Sequence, residues 1–198
     1  FIDLGTNTFH LLIVEVITNK IHFKASIATQ LGKGGINSQL ITPEAIERAM
    51  KVLNDFKSKI DEFEVAKENV FATATSAVRN ANNRTEFTDR VLKETSIDIQ
   101  VISGDEEATL IYEGVRQAVE ITEPSLIVDI GGGRVEFIIA NNSGILWKQS
   151  FEIGGQRLME LFMKSDSISF KAVERLNNYL LENLIPLANA IHQYHPKV

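Results

Sequence analysis

The stretch Ser125–Asn141 reads SLIVDIGGGRVEFIIAN: an apolar run, an aspartate, three glycines and a second apolar run. Ile127, Val128 and Ile130 predict one buried strand, and Val135, Phe137, Ile138 and Ile139 predict another. Gly131, Gly132 and Gly133 carry no Cβ, so the backbone between the strands can turn tightly and present N–H groups to an anion. Asp129 closes the first strand and Glu136 lies early in the second. Two carboxylates beside an amide-rich loop suit Mg²⁺ bound to phosphate, because Mg²⁺ takes few carboxylates and completes its shell with phosphate oxygens. A glycine hairpin flanked by solvated acids is the simpler alternative.

A second copy shifts that balance. The chain opens FIDLGTNTFHLLIVEV, in which Asp3 aligns with Asp129, Gly5 with Gly131, and His10–Ile13 with Glu136–Ile139, all at one offset. Two D-x-G turns with the same strand flanks predict two related lobes, each offering a phosphate loop to a shared cleft.

The 198 residues carry a net charge of −6, 44% hydrophobic residues and no cysteine. That length holds one large domain or two small ones, with enough apolar side chains for a real core. Disulfides and thiolate metal sites are excluded. No apolar run approaches the roughly 20 residues of a membrane span. No signal peptide is visible, and a start inside a strand at Phe1 implies a preceding segment. The expectation is a cytoplasmic protein without a DNA-binding surface, since an acidic chain repels nucleic acid.

In chain order, residues 1–29 predict three antiparallel strands: one ending at Asp3, then Thr8–Val16, then Ile21–Thr29. Gln30–Leu40 is a glycine-rich loop, with Lys33 either solvated or facing a phosphate. Thr42 caps a helix that has Pro43 at its first position and an apolar stripe of Ile46, Ala49, Leu53, Phe56 and Ile60. Asn69–Thr75 predicts a strand leading to Arg79, at the strand end where an α/β sheet keeps its ligands. Arg79 is read either as a phosphate clamp or as a surface arginine at a helix start. Arg84–Thr95 predicts a helix with Phe87, Val91 and Leu92 inward, and Ile97–Ile102 a strand.

Ser103 and Glu106 fit a capping box. Glu107 shares a helical face with Ile111, Gly114 and Ala118, placing a carboxylate at the end of an apolar stripe. Such a carboxylate is either a desolvated proton acceptor or a charge that favours the helix N-terminus. Ile121–Pro124 marks the lobe boundary, giving lobe I as 1–122 and lobe II as 123–198. Gly144–Ile153 predicts a third strand, Gln156–Met163 a helix, Lys164–Ser169 a loop, and Phe170–His192 helix interrupted near Pro186. His10, His22, His192 and His195 lack metal-ligand spacing.

Taken together, FIDLGTNTFHLLI, ATATSAVRNANN, VISGDEEATLIYEGV, LIVDIGGGRVEF and FEIGGQRL resemble the exopolyphosphatase and guanosine pentaphosphate phosphohydrolase family of the actin-like ATPase superfamily. The D-x-G hairpins point only to the superfamily, whereas SGDEEA ahead of the second aspartate selects the family. The resemblance implies a ribonuclease-H-like α/β fold of two lobes, with mixed sheets flanked by helices. It further implies release of orthophosphate from the end of polyphosphate, or of the 5′ phosphate of pppGpp in the stringent response. Glu107 is similar to the general base that activates water. Asp129 and Glu136, with Asp3, are similar to the carboxylates that hold Mg²⁺. Asp3, Gly5, Thr6, Asn7, Gly131, Gly132 and Gly133 resemble the family's phosphate loops, and Arg79 is similar to its cationic clamp. A homodimer is also implied.

Two departures from the family pattern stand out. Arg134 occupies the position where the family usually has Ser or Thr, and is read as an added phosphate contact or as a crowding of the loop. The chain also ends where the family's later glycine-rich motif is expected, so lobe II is expected to be incomplete with an unpaired sheet edge. A phosphate-sensing module without turnover is the rival reading. A sugar-kinase-like phosphotransferase fits less well, because an adenosine-binding motif is missing.

Overall fold

The computed structural model describes residues 1–163 and 167–197, so part of the predicted Lys164–Ser169 loop lies outside the described residues. The chain divides into two compact units, Phe1–Ile102 and Ser103–Val198.

The first unit opens with an antiparallel meander of β1 (Ile2–Leu4), β2 (Thr8–Glu15) and β3 (Lys20–Ala28). Helix α1 (Pro43–Glu62) follows, capped by the Thr42 hydroxyl accepting from the Ala45 N–H at 3.2 Å. Its whole predicted stripe, Ile46, Ala49, Leu53, Phe56 and Ile60, is buried. Each of the larger side chains, Ile46, Leu53, Phe56 and Ile60, contributes roughly 1.5–3 kcal/mol on leaving water, and this stripe seats the helix on the sheet. β4 (Ala72–Ala74) then pairs parallel with β1, and α2 (Ser76–Arg79) and α3 (Arg84–Thr95) lead to β5 (Ile99–Val101), parallel with β4. The sheet order is β3-β2-β1-β4-β5.

β4 is shorter than the predicted Asn69–Thr75, because Lys67–Asn69 forms a 3₁₀ turn and Thr75 leaves the ladder to start α2. In α3, Phe87, Val91 and Thr95 are buried while Leu92 is 42% exposed. The buried stripe steps by four residues, which leaves the neighbour of Val91 off the face.

The second unit holds α4 (Gly104–Ala118), the antiparallel sheet β6 (Ser125–Ile130), β7 (Val135–Asn141) and β8 (Gly144–Phe151), then α5 (Gly155–Phe162), α6 (Phe170–Asn183) and α7 (Ile185–Tyr194). The break between α6 and α7 falls at Leu184, and Pro186 sits in the first turn of α7, where its missing N–H costs nothing. Lys197 makes an isolated parallel bridge to Ser125 of β6.

The compact units divide at Ile102/Ser103, not at residue 122. Helix α4 belongs with the second sheet because Ala108 and Tyr112 are buried with Ile138 and Ala140, and the Tyr112 hydroxyl donates to the Asn141 carbonyl at 2.9 Å. Proline at 124 ends an excursion inside the second unit. The face of α4 also differs from expectation: Ile111 is half-buried, but Gly114 and Ala118 are exposed, and the buried side chains are one residue further round.

Candidate functional site

Both D-x-G turns close with the same hydrogen bond. The Gly5 N–H donates to the Thr8 carbonyl at 3.1 Å, and the Gly131 N–H donates to the Arg134 carbonyl at 3.0 Å. A Cβ would lie 2.8 Å from the Thr8 oxygen at Gly5 and 3.0 Å from the Arg134 oxygen at Gly131, so each turn selects glycine for closeness of approach.

The carbonyls that follow are drawn back into each unit. Thr6 accepts from the Gly32 N–H at 3.0 Å, and Asn7 accepts from Thr29 and Gln30 at 2.9 and 2.8 Å. In the second unit, Gly131 accepts from Gly155 at 3.0 Å, and Gly132 from Gln156 and Arg157 at 2.8 and 3.3 Å, all from the first turn of α5. Gly133 accepts from the Arg157 Nε at 3.2 Å. The N–H groups of Thr6, Asn7, Gly132 and Gly133 have no acceptor among the described residues. A run of outward amides held in a fixed loop is a concavity for an anion.

Around the second loop the carboxylates converge. Asp129 and Glu136 are direct partners across β6 and β7, and therefore share a face of the sheet. Glu136 is buried, with 2% of its surface exposed, and its Oε1 accepts from the Ser150 hydroxyl at 2.5 Å. Burial pushes the Glu136 carboxyl up to about 7; the Ser150 hydrogen bond works against this, the negative charges of Glu107 and Asp129 add to it, and Arg134 opposes it. Glu107 is half-buried on the first turn of α4, next to the capping box that Ser103 and Glu106 complete with bonds of 2.7 and 3.1 Å. Glu107 and Asp129 thus both lie within electrostatic reach of Glu136 inside one unit.

That donor set fits Mg²⁺. Among the described residues no group of three or more His, Cys, Asp and Glu forms a cage, whereas Mg²⁺ is usually held by one or two carboxylates and phosphate oxygens. Mutual repulsion among three acids at one loop is also the condition a cation relieves.

Arg134 is anchored along β8: its Nε donates to the Ser150 hydroxyl at 2.7 Å, its Nη1 to Glu152 at 2.9 Å and its Nη2 to the Ser150 carbonyl at 3.1 Å. In the first unit, Asp3 lies on β1 and Arg79 at the end of α2, beyond the parallel strand β4, with its Nη1 donating to the Ile102 carbonyl at 2.7 Å. Lys33 is exposed and donates to Gln30 at 3.3 Å. Sequence reasoning missed Arg157 and Gly154. Arg157 is 7% exposed and props the glycine loop. A Cβ at Gly154 would come within 2.3–2.6 Å of Gly132, Gly133 and Arg134 backbone atoms, so the loop lies directly on this residue. The Gly-Gly pair before a helix was the available signal.

Fold and loops define a class: α/β proteins of the actin-like fold with a D-x-G hairpin in each unit. Two distant solved structures, at 15% and 13% identity, share the fold alone. The chain belongs to the Ppx/GppA phosphatase family, whose model matches residues 12–196. It is 48% identical to an exopolyphosphatase from Cytophaga hutchinsonii, with a TM-score of 0.92 over 98% of this chain and 63% of that one. The PPX-GPPA enzyme of Aquifex aeolicus is 31% identical, with a TM-score of 0.72 over 94% of this chain and 62% of that one. A bifunctional 3-dehydroquinate synthase/phosphatase of Fusobacterium nucleatum is 36% identical over 193 residues, 93% of this chain and 28% of that protein. The chain therefore spans less than two thirds of each of these relatives.

Proposed function

We propose that the chain acts as a phosphoanhydride hydrolase, releasing orthophosphate from the end of inorganic polyphosphate or the 5′ phosphate of pppGpp. The observation that carries this reading is the amide loop Gly131–Gly133 with three interacting acids beside it, on a chain whose relatives include an exopolyphosphatase and a PPX-GPPA enzyme. Phosphoryl transfer asks for charge neutralisation and an aligned nucleophile more than for covalent chemistry.

Each part then has one task. The N–H groups of Gly132 and Gly133, and those of Thr6 and Asn7, hold phosphoryl oxygens. Glu107, half-buried on the first turn of α4, orients and deprotonates the attacking water. Asp129 and Glu136 would hold Mg²⁺, which when bound supplies positive charge to the transferred group. Arg79 adds a fixed positive charge in the first unit.

The test is orthophosphate release with Mg²⁺, offering polyphosphate and pppGpp side by side to the wild-type chain and to Glu107→Gln. The wild type releases phosphate, and the ratio between substrates sets the specificity. The variant loses at least ~10²-fold in kcat, the usual share of a general base, while binding polyphosphate almost as tightly. Substantial residual turnover removes Glu107 from the role of base. Binding without release by the wild type leaves a phosphate-sensing module.

A further inference from the structure

One strand bonds to two of the segments that carry acids of the candidate site. Lys148 and Ser150 are alternate residues of β8 and so share a face, the face on which Glu136 lies opposite Ser150 and Ile138 opposite Lys148. The Lys148 ammonium spends all three donors on α4: the Asp105 carbonyl at 3.0 Å, the Asp105 Oδ2 at 2.9 Å and the Thr109 hydroxyl at 2.6 Å. Asp105 and Thr109 are one turn apart and bracket Glu107. Two residues along, the Ser150 oxygen accepts from the Arg134 Nε at 2.7 Å and its hydroxyl meets Glu136 at 2.5 Å. Because a guanidinium only donates, the hydroxyl proton has a single direction left, towards the Glu136 carboxylate. Arg134, the residue that departs from the family pattern, thereby fixes the rotor of Ser150.

Stability does not account for Lys148. Its ion-pair partner Asp105 has a side chain 75% exposed, and exposed pairs contribute little. Its cross-strand partner Ile138 is fully buried, so the neighbouring surface is apolar and does not itself call for a charge at 148. What the lysine adds is a fixed attachment of the first turns of α4 to the strand that also holds Glu136.

We propose that Lys148 and Ser150 are positioning residues, which set the separation of Glu107 and Glu136 from one face of β8. The proposal rests on the hydrolase reading above. An acid misplaced by about 1 Å costs up to roughly 10²-fold in rate, so the effect belongs in kcat.

The experiment takes Lys148→Met, Lys148→Arg, Ser150→Ala and Ser150→Thr in the whole chain. It measures kcat and KM for phosphate release, Tm, and amide exchange at Glu107–Thr109. Met and Ala lower kcat by about tenfold or more, with KM within about threefold of wild type and Tm little changed. Arg and Thr, which keep the donor, recover most of the rate. Exchange at Glu107–Thr109 speeds up in Lys148→Met and stays at the wild-type rate in Ser150→Ala. Wild-type kcat in both truncations overturns the proposal, and so does an equal loss in Ser150→Ala and Ser150→Thr. Should the wild type release no phosphate, it is the hydrolase reading that fails. Exchange then decides alone, and an unchanged rate in Lys148→Met overturns the bracing of α4.

Discussion

Glu136 carries its carboxyl raised from 4.5 to about 7, chiefly by burial. The unfolded chain ionises this group near 4.5, so between about 4.5 and 7 the folded state holds the proton that the unfolded state has lost. This group's contribution to stability is therefore complete below about 4.5, falls as pH rises through about 7, and is flat above. Glu136→Gln removes that slope. Urea melts at pH 5 and pH 8 are expected to show a smaller decline for the variant than for the wild type, and equal declines would place the burden on other groups. If Mg²⁺ binds here it competes with the same proton. Its apparent affinity then rises with pH up to about 7 and levels off, as a titration at pH 6 and pH 8 would read. The residue itself was visible in the sequence as an acid beside three glycines. Its raised pKa was not, because that comes first from burial and then from the charge of Glu107, and the fold supplies both through packing of a distant helix and strand.

The glycine loop and α5 form the element that decides whether the site exists. Gly154 and Gly155 are neighbours in sequence with opposite surroundings. A Cβ at 154 meets backbone atoms of the loop at 2.3–2.6 Å, whereas at 155 it meets nothing within 4 Å. Gly154→Ala is expected to displace the loop and lower kcat/KM by about 10²-fold, the scale of an ångström-sized misplacement. Gly155→Ala leaves kcat/KM near wild type. Equal effects would mean that the loop does not rest on this residue. Hairpins and caps at this scale were read correctly from local pattern: both D-x-G turns, the Thr42 and Ser103 caps, and the break before Pro186. The inward face of α4 was not, since Gly114 and Ala118 carry too little side chain to define a stripe by periodicity.

At the scale of the molecule, a net charge of −6 sets the terms for any polyanionic substrate. Long-range charge opposes its approach, so binding depends on local amides, arginines and a cation. Phosphate release is expected to stop in EDTA and to return saturably with Mg²⁺, whereas NaCl does not substitute. Unchanged turnover in EDTA would remove the metal from the scheme. No helix among the described residues is long and apolar enough to cross a membrane.

The sequence by itself determined the repeated D-x-G hairpins, the α/β class and the family, because these follow from glycine spacing, strand alternation and ordered local motifs. It also marked Glu107, Asp129 and Glu136 as candidates. Only the tertiary structure decided which unit owns Glu107, where Arg134 points, and that one face of β8 bonds to both α4 and Glu136. Those facts rest on packing between segments far apart in the chain: Tyr112 on β7, Lys148 on α4, and Arg134 on Ser150. Local pattern marks where a helix lies, but not the sheet on which that helix settles.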